Sequence, residues 1–110
     1  MLIPAHKLNE EQLDWAVELI ERDGVHHTVQ GSDDPVLLGV IHKFSTDWAQ
    51  GGPIVERERI ELTYPDDECR AAMFFRLIPV YSDGATPLVA AMRCYVTAKL
   101  GEEVEIPESM

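Results

Sequence analysis

Ser45-Thr46-Asp47-Trp48-Ala49-Gln50-Gly51-Gly52-Pro53-Ile54-Val55-Glu56-Arg57-Glu58-Arg59 divides the chain and constrains what can form on either side of it. Its two glycines let the backbone take positive φ or approach another group closely, and Pro53 is pre-set for the first position of a helix. The stretch reads as a Gly51-Gly52 turn that opens a short helix from Pro53 to about Arg59. As a strand, Glu56, Arg57, Glu58 and Arg59 would need both faces in water. Such a turn leaves backbone N–H groups pointing at whatever lies in front of it.

Upstream, Leu8-Asn9-Glu10-Glu11-Gln12-Leu13 predicts a helix start, with Asn9 as N-cap, Gln12 completing a capping box and Leu8 packing on Leu13. Leu13, Ala16, Val17 and Ile20 share one face, widened by Trp15 and Leu19, and Gly24 supplies the stop. Val25 to Gln30 reads as extended, Gly31 to Pro35 as a turn, and Val36 to Phe44 as a buried strand that could pair back as a hairpin.

Downstream, Ile60, Leu62 and Tyr64 alternate with Glu61 and Thr63, a half-buried strand closed by Pro65-Asp66-Asp67. Arg70 to Tyr81 reads as a central strand. The alternative there is a helix capped by Asp67 through Ala71, Ala72 and Met73, and Pro79 tells against long pairing on its side. Ser82 to Ala85 is a loop, and Thr86-Pro87 starts a last helix that runs to Leu100 and stops at Gly101. The fold expected is α+β: a compact sandwich of two long helices on a small antiparallel or mixed sheet.

At 110 residues the chain is one domain, 1–110, with 102–110 expected to form an acidic, loosely held tail. The net charge is −11, and the acids are peripheral. Residues 1–34 hold eight acids and two bases, while 35–101 are nearly neutral and include five of the six arginines. An acidic skin argues against general nucleic-acid binding and is compatible with docking on a basic partner, nucleic-acid mimicry included. No apolar run approaches the roughly 18 residues of a membrane span, and the N-terminus lacks a secretory pattern, so no membrane and a cytoplasmic setting are expected. Cys69 and Cys94 form no CxxC and read as buried free thiols, with pairing as the alternative.

His6, His26, His27 and His42 have no metal-ligand spacing, and no cysteine or serine sits in a nucleophile motif, so neither a metal, a cofactor nor catalysis is expected. The two helix starts carry more information. Each presents a positive dipole end followed by an arginine, Arg57 or Arg93, and together they could clamp an anion. The ligand-binding set is then Thr46, Asp47, Trp48, Gln50, Gly51, Gly52, Arg57, Thr86 and Arg93, with Trp48 stacking on a planar ring and Gln50 reading its edge. The competing reading gives the glycines to a tight turn, Trp48 to the core, and Arg57 and Arg59 to surface ion pairs.

Residues 45–58, together with Thr86-Pro87-Leu88-Val89-Ala90-Ala91-Met92-Arg93-Cys94-Tyr95-Val96, resemble the NinX-like proteins of tailed phages and prophages. Leu13-Asp14-Trp15-Ala16-Val17 is similar to the same family's opening helix, and the resemblance extends over residues 13–107. It implies a phage or prophage origin and action inside the host bacterial cytoplasm. It brings no reaction, since the family is one of unknown function.

Three functions are expected in turn. The first is a non-enzymatic accessory protein that binds and sequesters a small anionic, nucleotide-like host molecule. The second is an acidic inhibitor of a host protein acting through Glu10, Glu11, Asp14, Glu18 and Glu21, and the third is a small hydrolase of a host metabolite. Trp15, Leu19 and the last helix offer more apolar surface than one small core uses, which points to a homo-oligomer.

Overall fold

The computed structural model describes residues 1–25, 42–65 and 67–108. Over these residues it is α+β, with three α-helices, a short 3-10 turn at Ala5–Lys7 and two antiparallel sheets. The expected strand after Val25, the Gly31–Pro35 turn and most of the Val36–Phe44 strand lie outside the described residues. His42 to Phe44 are not strand.

Helix α1 (Glu10–Val25) starts as its capping box requires. Gln12 N–H donates to Asn9 Oδ1 at 2.8 Å, and Asn9 N–H donates back to Gln12 Oε1 at 3.1 Å. Leu8 and Leu13 are fully buried, as a hydrophobic staple demands. Gly24 is not the stop, because the helix passes through it to Val25. Helix α3 (Pro87–Leu100) is capped by Thr86, whose Oγ1 accepts from Val89 N–H at 3.1 Å. It ends on Gly101, at φ +100° and ψ −178°, a conformation open only to glycine.

Nine residues of α3 are buried, from Leu88 round to Ala98, so the helix is apolar on all sides. It is the middle layer. Helices α1 and α2 (Trp48–Arg57) cover one side, and strands β3 (Cys69–Phe75) and β4 (Ile78–Gly84) cover the other. Most of the apolar side chains of the last helix are thus packed within the fold, with Leu100 exposed at its end.

The stretch that opens the sequence is rearranged. Helix α2 begins at Trp48, with Asp47 as N-cap: Asp47 Oδ1 accepts from Ala49 N–H at 2.9 Å. Gly51, Gly52 and Pro53 sit inside the helix instead of forming a turn before it. Gly51 is needed there because a Cβ would stand 2.2 Å from the Phe44 carbonyl oxygen and 2.7 Å from Leu88 Cδ1. The glycine permits close approach, the second of its two uses, and not a positive φ.

The expected single strand over 70–81 is two strands. β3 and β4 pair antiparallel from Cys69↔Gly84 to Phe75↔Ile78, and Ser82 to Gly84 belong to β4, not to a loop. The turn between them is Arg76-Leu77, with φ +54° and +69°, a type I′ geometry that neither residue type signals. β2 (Glu61–Thr63) pairs on the other side of β3, which is thus the central strand. The expected loose tail is also corrected. β5 (Glu103–Glu105) pairs with β1 (Leu2–Pro4), and Val104 and Ile106 are buried.

Candidate functional site

Several of the sequence-predicted ligand residues are engaged by other groups of the fold, while Thr46 and Trp48 are exposed. Asp47 caps α2 with its own carboxylate and also accepts from Gln50 Nε2 at 3.0 Å. Gln50 Oε1 takes the Lys43 N–H at 2.7 Å, and Thr46 is exposed in the preceding turn. Thr86 caps α3. The N-terminus of α2 thus already faces a negative group, which satisfies its dipole without a ligand.

The two arginines are engaged as well. Arg57 donates to both Glu21 carboxylate oxygens at 3.0 and 2.8 Å, to Glu58 at 2.9 Å and to the Tyr95 hydroxyl at 3.0 Å. Tyr95 in turn donates to Glu21 at 2.6 Å. Burial raises the Glu21 pKa, but these hydrogen bonds outweigh it and hold the carboxyl below its ordinary range. Arg93 donates to the Leu8 carbonyl at 3.0 Å and to the Asp83 carbonyl at 3.0 Å, pinning the entrance of α1 to β4. Arg57 lies at the far end of α2, about 14 Å along the axis from Trp48. The structure brings Gly51 against Leu88, so the starts of α2 and α3 do meet, without the arginines between them.

Three acids of the proposed acidic face are also spoken for. Asp14 accepts from Ser45 N–H at 2.9 Å and Ser45 Oγ at 2.8 Å, Glu18 lies 2.7 Å from His42 Nδ1, and Glu21 holds Arg57. They fall at i, i+4 and i+7 of α1 and fasten residues 42–57 to it. Cys69 and Cys94 are buried free thiols, as expected, and burial pushes Cys94 up to about 12, which leaves it protonated and unreactive.

Among the described residues, no element covers the sheet face turned away from α3. Strand register puts Thr63, Arg70 and Asp83 in one row of that face, Glu61, Ala72 and Tyr81 in the next, and Phe74 and Pro79 in the third. Cys69, Ala71, Met73 and Ser82 point the other way, into the core. Phe74 is 72% exposed and Tyr81 63%, and Leu77 and Ile78 at the hairpin end are 92% and 64% exposed. Arg70 pairs with Asp83 at 2.8 Å, which lowers the Asp83 pKa. A shallow cavity of about 330 Å³ opens between Arg70, Tyr81, Ser82 and Asp83.

Sequence reasoning missed this face. The alternation of Arg70, Ala72 and Phe74 against Ala71, Met73 and Phe75 could have marked it, but apolar residues on both sides hide the period.

Among the described residues no group of His, Cys, Asp and Glu is placed to hold a metal ion, and no helix is long and apolar enough to cross a membrane. No curated protein matches the chain. The family model described as Bacteriophage P22, NinX matches residues 6–99, most of the chain, and the protein belongs to that family.

Proposed function

We propose that this phage protein is a non-enzymatic accessory protein that works in the host cytoplasm by occupying a host protein, with the open sheet face as its contact surface. The observation that carries this reading is the exposure of Phe74 and Tyr81 on that face and of Leu77 at the hairpin turn beside it. Together they leave on the order of 400 Å² of apolar surface in water, as much as the largest patch of a typical monomer, and such patches mark binding sites. The acids of α1 first considered for this role are largely consumed inside the fold, so the contact moves from the helix to the sheet.

The test is the double substitution Phe74→Ser, Tyr81→Ser introduced into the phage gene. The expected result is a phage whose growth matches that of the gene deletion, while the purified variant keeps its circular dichroism and melting point. A variant that behaves as wild type would contradict the reading.

A second reading, the planar ring of a nucleotide-like ligand on Trp48, is favoured by one observation. The indole is 51% exposed and lies over Gly52, where a Cβ would be 3.5 Å from Trp48 Cε3. Titration with host nucleotides, followed by tryptophan fluorescence in wild type and Trp48→Phe, would show quenching only in the former if this reading holds.

A further inference from the structure

The same face has a chemistry that narrows the partner, and the inference drawn from it rests on the docking reading above. At its centre Ala72 is small, with Phe74 on the same strand, Tyr81 opposite it on β4 and Glu61 opposite it on β2. Glu61 has no ion-pair partner among the described residues. An aromatic wall on one side of a small residue and an unpaired carboxylate on the other suit a long cationic side chain, its stem on the ring and its charge at the acid.

The surroundings reinforce this. Arg70 is neutralised by Asp83, and Arg76 turns back over the Phe75 ring, 5.2 Å from its centroid and away from the open face. Asp67 and Glu68 are exposed in the turn between β2 and β3 and add acidic charge at that end of the sheet. The whole chain adds a net charge of −11, a field that draws a basic partner and repels an acidic one.

Two other occupants fit less well. A second copy would bring its own −11, and the apolar patch offers about half of the roughly 800 Å² per partner found in stable complexes. An added β-strand would need the outer edge of β2, which is only three residues long, or that of β4. On β4 the residues flanking the Arg76-Leu77 turn form the hydrogen-bonded pair, so the backbone of Pro79, Tyr81 and Asp83 faces outward. Pro79 has no N–H, and the Asp83 carbonyl already accepts from Arg93. The β4 edge is thus blunted at both ends and the β2 edge is short, which favours the face over either edge.

We infer that the open face binds a basic segment of a partner protein, with apolar side chains on Phe74 and Tyr81 and an arginine or lysine laid over Ala72 toward Glu61.

The probe is a synthetic extended peptide alternating lysine and leucine, compared by calorimetry with its glutamate–leucine counterpart. Amide shifts in the wild-type protein locate the contact. The lysine peptide should bind, shift Ala72, Phe74 and Tyr81, and weaken as salt rises. Binding should fall about tenfold or more in Phe74→Ser, Tyr81→Ser and several-fold in Glu61→Gln, and stay unchanged in Glu11→Gln on α1. Equal binding of the glutamate peptide, shifts confined to α1, or sedimentation showing a dimer that Phe74→Ser, Tyr81→Ser dissolves would overturn the inference. If the lysine peptide fails but the phage carrying the double substitution still behaves as the deletion, only the basic character of the partner is refuted. If that phage grows as wild type, the docking reading falls too.

Discussion

Gly51 and Gly52 are adjacent in sequence and opposite in consequence. A methyl group at Gly51 meets a backbone carbonyl and Leu88, neither of which can yield without moving α2 off α3, whereas at Gly52 it meets only ordinary contact with the Trp48 ring. Gly51→Ala is therefore expected to destabilise the protein by about 2–4 kcal/mol, as an overpacked core does at its worst. Gly52→Ala should stabilise it by about 0.5–1 kcal/mol, because a helical glycine gives way to the best helix former. Urea unfolding of the two variants checks both signs. The glycine pair was legible in the sequence as a place of backbone need, but which need, turn or close approach, depends on Phe44 and Leu88, and sequence spacing does not report such neighbours. Trp48 and Arg57 were legible as unusual in the same way. Glu21 and Tyr95, which occupy Arg57, come from α1 and α3 and carry no local signal.

At the scale of elements, α1 and α3 were readable because their ends are chemically marked: Asn9 with Gln12, Thr86 with Pro87, and Gly101. The hairpin was not, because its turn is Arg76-Leu77 where asparagine and glycine would normally announce a type I′ geometry. Each residue there pays about 1 kcal/mol for a left-handed conformation. Replacing the pair by Asn-Gly is expected to raise stability by about 1–2 kcal/mol and the melting point by several degrees, measured by calorimetry. Unchanged stability would mean that the turn is held by something other than its own conformational preference. The link between α1 and α2 adds a pH dependence. Glu21 has a lowered carboxyl pKa in the fold, so its contribution is present above the unfolded value near 4.3 and is lost as pH falls through the lower folded value. The melting point should drop on acidification below about pH 4.5, and Glu21→Gln, less stable at neutral pH, should flatten that drop. Arg57 is half exposed, so the effect is modest.

Over the molecule's described residues, an apolar helix is packed between two helices on one side and a sheet on the other, and no described element covers the sheet's outer face. The acids that dominate the sequence divide between fasteners on α1, where Asp14, Glu18 and Glu21 hold residues 42–57, and exposed acids elsewhere on the surface. Membership of the NinX family accounts for most of the chain without naming a reaction. The most direct test places a photo-crosslinking amino acid at position 74, 81 or 11 of the protein in infected cells. The account expects positions 74 and 81 to give the same discrete adduct with a single host protein and position 11, on the outer side of α1, to give none. An adduct from position 11 with none from 74 or 81 would contradict it.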